Sequence, residues 1–332
     1  MTIVGISGIS GYLGTQLHSY LDQNTRIEKI IGLDIVKPPD SPKLQFHKID
    51  IRNPEITNIL IKSNVDVVIH LAFICKELRN RKEMWSIDIE GTQNILKAIE
   101  KSSSVSHLLT LSSVSAYGAH PDNPTPLTED SPLRGSENKF QYARDKAEMD
   151  LLIQNFMQIH PEIIVTMFRP TFVMGPNVDN FFSFYLEKFP IVPISRETKG
   201  RFQLIHEDDM TRLIIQAIKE NIPGIFNVAA PKTVTYIDLL KLAKKRFIKM
   251  PNFMVYPAAN ILWWLGIAGA SAHQIDFIRF SYIEDVSLLT NKFNFKFNYD
   301  TIETFVDFWK SKGRRINESY LAELKERVSS DK

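Results

Sequence analysis

The 332 residues predict an α/β chain built on a doubly wound parallel sheet. Two patterns carry that prediction. Strand-like and helix-like segments alternate through the first half, and the first strand runs into a turn with three spaced glycines that opens a helix. Several strand segments are continuous apolar runs, as in VDVVIHLA (65–72), the composition of strands covered on both faces.

Taken in order, Thr2 to Ser7 is apolar and β-branched enough for a buried first strand. Leu13, Leu17 and Leu21 recur at i, i+4 and stripe one face of the helix that follows. Lys29 to Leu33 reads as a second strand ended by Asp34, and LQFHKI (44–49) as a third ended by Asp50. Asn53 and Pro54 suit an N-cap and first helical position. After the strand at 65–72 come a helix over 83–101, a strand at 106–113, a long helix over 139–160 and a strand at 163–168. The second half is less regular. FQLI (202–205) leads into a helix whose first turn holds Glu207, Asp208 and Asp209, acids that suit the helix dipole. A strand at 225–229 and helices over 235–247 and 301–312 follow, and Leu321, Leu324 and Val328 fit an amphipathic helix in the charged tail. The expected organisation is a nucleotide-binding unit over 1–170, its sheet completed near 202–230. A smaller mixed substrate-binding lobe over 171–315 and a tail over 316–332 complete the chain.

Hydrophobic content of 44% and charged content of 23% are those of an ordinary globular protein. A net charge of +2 with interleaved signs argues against a nucleic-acid surface. Cys75 is the sole cysteine, which excludes an intrachain disulfide and cysteine-held zinc or iron–sulfur, and it is expected in the core. No residues have metal-ligand spacing. The N-terminus has no basic region followed by an apolar run, so a cytoplasmic location is expected. The most apolar segment, 256–272, falls short of the ~20 residues of a membrane span; a core or substrate-cap helix is expected there rather than a membrane-surface contact.

The glycine turn, Gly8-x-x-Gly11-x-x-Gly14, places backbone N–H groups and a helix N-terminus where a pyrophosphate would sit. Asp34 stands twenty residues beyond Gly14, where a carboxylate accepts the ribose hydroxyls of NAD and repels the extra phosphate of NADP. NAD is therefore expected over NADP, with nearby Lys37 working against that preference. Downstream, Tyr142 and Lys146 lie one helical turn apart, with Ser113 upstream in LSSVSAYG. An ammonium and a positive nicotinamide near Tyr142 are expected to lower its pKa, so that it exchanges a proton with a substrate alcohol or ketone during hydride transfer. Ser113 is expected to share the charge on the same oxygen.

With these motifs in this order, nearly the whole chain resembles the extended short-chain dehydrogenase/reductases, in the NAD-dependent epimerase/dehydratase superfamily, with a Rossmann-type sheet. The resemblance implies cofactor contacts from Gly8, Ser10, Gly11, Tyr12, Leu13 and Gly14, from Asp34, and from Asp50 and Ile51 at the adenine. It further implies contacts from Leu71, Ala72 and Phe73 in HLAF, and from Pro170 and Val173 in RPTFVMGP. Ser113, Tyr142 and Lys146 match the catalytic set, the latter two also holding cofactor. The segments from Phe202 to Asp209 and from Asp285 to Phe308 resemble the family's later motifs. A homodimer through the helices at 83–101 and 139–160 is implied as well.

Four departures bear on the substrate. Val114 and Ser115 stand where dehydratases carry an Asp-Glu pair, so 4,6-dehydration is disfavoured. Phe202 and Gln203 replace the residues with which sugar epimerases grip diphosphate; Arg201 is one residue off, and Arg279 is a candidate substitute. Asp88 replaces an Asn, losing a donor. The insert around Trp263 and Trp264 resembles that of 3β-hydroxysteroid dehydrogenase relatives. Substrate contacts are expected from Phe73, Ser113, Val114, Arg169 and Arg279; Phe172, Phe181, Phe182 and Phe184 are aromatic candidates for an apolar wall. His206 is expected to cap the helix at Glu207, and His70 to lie in the strand-end core. The reading leans slightly to a nucleotide-sugar epimerase, then to a dehydrogenase or reductase on an apolar alcohol or ketone, then to a non-catalytic NAD sensor.

Overall fold

A computed structural model describes all residues except Asn138, Asp179, Gly269, Ala270, Asp331 and Lys332, and omits the side chains of Phe181 and Ser330. The aromatic candidate Phe181 therefore lies outside the described side chains. In chain order the elements are β1 (Thr2–Ser7), α1 (Tyr12–Gln23), β2 (Ile27–Asp34), β3 (Leu44–Lys48), α2 (Glu55–Lys62), β4 (Val67–His70) and α3 (Arg81–Trp85). A π-helical turn (Ser86–Glu90) joins α3 to α4 (Gly91–Lys101), followed by β5 (His107–Leu111), α5 (Gln141–Ile159), β6 (Ile164–Pro170), β7 (Phe172–Met174), α6 (Phe181–Lys188) and β8 (Ile191–Ser195). Then come β9 (Arg201–Phe202), β10 (Leu204–His206), α7 (Glu207–Glu220), β11 (Gly224–Val228), β12 (Val234–Thr235), α8 (Tyr236–Leu242) and β13 (Arg246–Met250). The chain closes with α9 (Asn252–Trp264), α10 (Asp276–Arg279), α11 (Ser287–Phe293), α12 (Thr301–Ser311) and α13 (Glu318–Ser330).

Seven strands form one sheet in the order β11-β6-β5-β4-β1-β2-β3, every pairing parallel. Parallel neighbours need crossover helices, and those helices cover both faces. Val4, Ile6, Ile30 and Leu109 pack on one side with Leu17 and Leu213; Ile31, Val68 and Leu108 pack on the other with Ile95 and Ile153. This is the doubly wound α/β sheet that the alternating pattern predicts. A third apolar cluster joins Tyr117 and Phe140 to Phe182, Phe202, Phe305 and Trp309 beyond the sheet. The tail packs on this body. Leu324 is fully buried, and Tyr320 donates to Asp238 at 2.7 Å.

Three elements depart from the sequence-based expectation. The helix expected over 83–101 carries the π turn, so its residues before and after Asp88 do not share one register. The helix expected to reach residue 247 ends at Leu242; Lys244 is left-handed (φ 52°), and the chain turns into β13. The apolar segment forms α9, but only Val255 and Ala259 of that helix are buried, so it is neither core nor an enclosed cap.

Glu284 is buried and both carboxylate oxygens are unpartnered among the described residues. Burial, then the Glu129 charge, pushes its pKa well above the usual carboxylate range, while Arg169 acts the other way. An acid with a raised folded pKa contributes most stability below its unfolded value near 4.5, and that contribution is lost as pH rises. Glu284→Gln is therefore expected to raise the melting temperature at pH 8 by roughly 2 °C or more, with little change at pH 4. Calorimetry at the two pH values checks it.

Candidate active site

Connections leave β1 and β4 in opposite directions along the sheet, and ligands in such sheets bind at the carboxyl ends of the strands flanking that reversal. A cleft opens there, about 1200 Å³ with its mouth included. Gly8 follows β1 with φ +74°, and a Cβ on it would stand 2.5 Å from the Ala72 nitrogen after β4. A Cβ on Gly14 would stand 2.3 Å from the Gly8 carbonyl oxygen. These glycines let strand, turn and helix meet closely. Gly11 is the N-cap of α1, with no side-chain cap and no acid in the first turn, which leaves N–H groups for an anionic ligand. Gly8, Gly11, Tyr12, Leu13 and Gly14 all line the cleft.

Ser10, Asp34, Asp50 and Ile51 lie outside the cleft lining, the latter three at or just past the ends of β2 and β3. The Asp34 carboxylate accepts from the Ser10 and Val36 N–H groups at 3.0 and 3.1 Å, which holds it beside the glycine turn. Lys37 is ion-paired with Asp40 at 2.7 Å. Asp50 is held by Arg52 at 2.7 Å, whose side-chain hydrogen bonds lower its pKa. The Ile51 carbonyl accepts from the Asn94 side chain at 2.9 Å. The uncapped helix, the glycine cradle and the carboxylate at the strand end together fit a dinucleotide.

Leu71, Ala72, Phe73, Ser113, Val114, Tyr142, Lys146, Pro170 and Val173 come together on the other wall. Tyr142 and Lys146 stand on α5, and Ser113 just past β5 caps a short 3-10 turn, its hydroxyl accepting from the Ser115 N–H at 3.1 Å. The Lys146 ammonium donates to the Leu111 carbonyl at 2.7 Å and sits 3.6 Å above the Phe73 ring. Phe73 also meets Tyr142 edge-on at 5.7 Å. Burial pushes Lys146 down to about 8, opposed by Cys75, Asp88, Asp150 and Asp145. Burial raises the Tyr142 phenol, and Cys75 and Asp88 add to that; a side-chain hydrogen bond with Ser113 opposes it. Within the protein itself the Tyr142 phenol is therefore raised rather than lowered, because burial outweighs the Ser113 hydrogen bond.

Two expected substrate contacts are corrected. Arg169 is 1% exposed and lies behind the cleft wall. It meets both Asp150 oxygens at 2.8 Å, the Tyr117 hydroxyl at 2.8 Å and the Glu129 carbonyl at 2.7 Å. Arg279 is outside the lining, paired with Glu197 and with Asp276 at 3.2 Å. Cys75 is not core. The residue is exposed and lines the cleft, and burial of its thiol against that wall pushes the pKa up, with Lys146 opposing and Asp88 adding. The lining also takes in Met149, Thr171, Phe172 and Asn180. Met149 was signalled only by lying one turn past Lys146, and Cys75 only by following Phe73.

His70 is in the strand-end core as expected, bonded to Ser7 at 2.8 Å and Thr92 at 3.0 Å and pushed by burial to about 3. His206 caps α7, its Nδ1 accepting from the Asp208 N–H at 3.1 Å. Asp88 is fully buried in the π turn. One oxygen accepts from the Ile74 N–H at 2.8 Å, and the other has no partner among the described residues. Burial pushes it up to about 8, with Asp145 adding and Lys146 opposing. Its charge favours the Lys146 ammonium, so Asp88→Asn is expected to move the alkaline limb of a pH–turnover profile to lower pH. A profile matching the wild type is the contrary result.

The model of the NAD dependent epimerase/dehydratase family matches residues 4–229. An uncharacterized protein of Mycobacterium tuberculosis is 24% identical over 318 residues, spanning 94% of this chain and 84% of its own. Vestitone reductase of Medicago sativa is 23% identical over 265 residues, 74% of this chain and 81% of its own. The UDP-glucuronic acid 4-epimerase of Bacillus cereus, solved in complex with NAD, superposes with a TM-score of 0.71 at 17% identity, over 97% of this chain and 99% of that one. A parallel sheet reversing at β1 and β4, a three-glycine turn at that reversal and a family match over most of the chain agree: this protein belongs to the NAD dependent epimerase/dehydratase family.

Proposed function

We propose that the cleft catalyses NAD-dependent hydride transfer at a secondary alcohol or ketone carbon, as a dehydrogenase or reductase of an apolar molecule. The observation that carries the apolar substrate is the cleft's cationic content. Among the described residues no arginine lines it, and Lys146 is its one cationic side chain. Arg169 and Arg279 are committed to carboxylates, and Arg201 donates to Thr233 at 2.9 Å. A sugar diphosphate is normally gripped by such side chains. Phe73, Val114, Met149 and Phe172 offer apolar surface instead. A relative that bears the name of a reductase, vestitone reductase, is in keeping with reductase chemistry.

Bound NAD supplies the hydride acceptor, and in reverse the reduced form supplies the donor. The Tyr142 hydroxyl exchanges the proton of the substrate oxygen, and Ser113 hydrogen-bonds that oxygen. Lys146 places positive charge beside them and holds the nicotinamide ribose. NAD is proposed over NADP because Asp34 stands at the end of β2 while Lys37 is paired with Asp40. A homodimer through α4 and α5 is part of the same reading, supported by exposed Leu151 and Ile159 on α5, as is a cytoplasmic location.

A second reading, a nucleotide-sugar epimerase, is favoured by the similarity of fold to the Bacillus cereus epimerase. The nucleotide released by denaturing protein purified without added cofactor separates the two. An empty site that binds NAD reversibly is expected. Stoichiometric NAD surviving purification overturns the dehydrogenase reading in favour of an epimerase that recycles its cofactor in place.

A further inference from the structure

We infer that α9 and the strand leading into it form a docking face for an anionic lipid bilayer. Phe253, Met254, Ile261 and Trp264 recur on one side of α9, with Leu265 at its C-cap, and all are exposed, Phe253 by 77% and Trp264 by 71%. Ile267, just past the helix, is exposed as well. The opposite side, with Val255 and Ala259, packs on Ala272 and Ile275. The helix is apolar on both sides while only one side is covered. A contiguous uncovered apolar face of this kind marks an interaction surface.

Charge identifies the occupant. From Leu239 to Ile275 the chain carries five Lys and Arg residues and no Asp or Glu, and the nearby Glu197 and Asp276 are ion-paired with Arg279. Lys244, Arg246 and Lys249, in and beside β13, are exposed. A second copy on this face would set bases against bases, whereas anionic headgroups complement them. Trp264 has the amphipathic ring that settles at headgroup depth. The thirteen residues of α9 extend ~20 Å, and no helix among the described residues is long and apolar enough to cross a membrane. The helix therefore lies in the plane of the interface. Arg79 donates to the Trp264 carbonyl at 2.6 Å, and the Ser271 N–H donates to Glu77 at 2.8 Å. These bonds tie the face to the segment that carries Phe73 and Cys75 into the cleft, so docking sets that wall near the lipid. The inference stands whichever substrate the cleft takes.

The test is co-sedimentation of the full chain with phosphatidylcholine vesicles containing or lacking phosphatidylglycerol. Binding is expected with phosphatidylglycerol at low salt, falling as salt rises. The double variant Phe253→Ser, Trp264→Ser is expected to weaken it by about tenfold or more. Lys244→Glu, Arg246→Glu and Lys249→Glu together are expected to remove the dependence on phosphatidylglycerol. All of these positions are exposed, so melting temperature and NAD affinity are expected to stay at wild-type values, and these readouts separate loss of docking from loss of fold or cofactor site. No co-sedimentation at any phosphatidylglycerol content, or equal binding by the double variant, overturns the inference. So does a wild-type dimer in light scattering that the double variant dissolves, since a second copy then covers the face.

Discussion

Replacing Tyr142 with phenylalanine is expected to lower turnover by about 10²–10⁴-fold, the usual contribution of one positioned acid–base group, while NAD affinity is retained. The ring is what the surrounding side chains hold. It meets Phe73 edge-on at 5.7 Å and Phe140 at 5.8 Å, and phenylalanine keeps both contacts. Only the hydroxyl and its hydrogen bond with Ser113 are lost. Removing a group that acts on the reacting oxygen lowers kcat and kcat/KM together. Single-turnover kinetics beside NAD titration reads both quantities. Turnover like that of the wild type with normal NAD binding would remove Tyr142 from the chemistry.

The largest stability effect is expected from Arg169→Ala. Its guanidinium and the Asp150 carboxylate are both buried and meet through two bonds of 2.8 Å. Deleting one partner leaves the other charged and uncompensated, a loss of about 3–5 kcal/mol, against a typical total of ~5–15 kcal/mol. The loss reaches the end of β5, because the Ser112 hydroxyl donates to the same carboxylate at 2.5 Å, one residue before Ser113. Urea denaturation is expected to show the full loss. Replacing Arg169 and Asp150 together with apolar residues of similar volume is expected to cost less than Arg169→Ala alone, since no buried charge is then left behind. A double variant less stable than the single one would contradict this account.

The sequence signals that matched the structure are local. The first strand, the glycine turn and α1 follow from apolar runs, a positive φ at Gly8 and a period of 3.6. The one-turn spacing of Tyr142 and Lys146 places both on one face of α5. Asp34 is readable because it ends a strand at a set distance from the turn. Signals that depend on distant partners are not legible along the chain. Arg169 precedes Pro170 and Val173, which line the cleft, but its side chain is committed to Asp150 and the Glu129 carbonyl. Cys75 has the residue type of a core position, yet the segment past β4 carries it to the cleft.

By itself, then, the chain's pattern of apolar runs, glycines and turn-spaced polar residues determined the alternating sheet, the glycine turn and the grouping of Tyr142 with Lys146, because each depends on backbone geometry within a few residues. Only the tertiary structure decided which arginines remain for a ligand, that Asp88 lies in a π turn with an unpartnered oxygen, and that α9 shows an apolar face to the outside. Those outcomes depend on which surfaces meet after residues far apart in sequence have packed, and periodicity along the chain does not encode the partner.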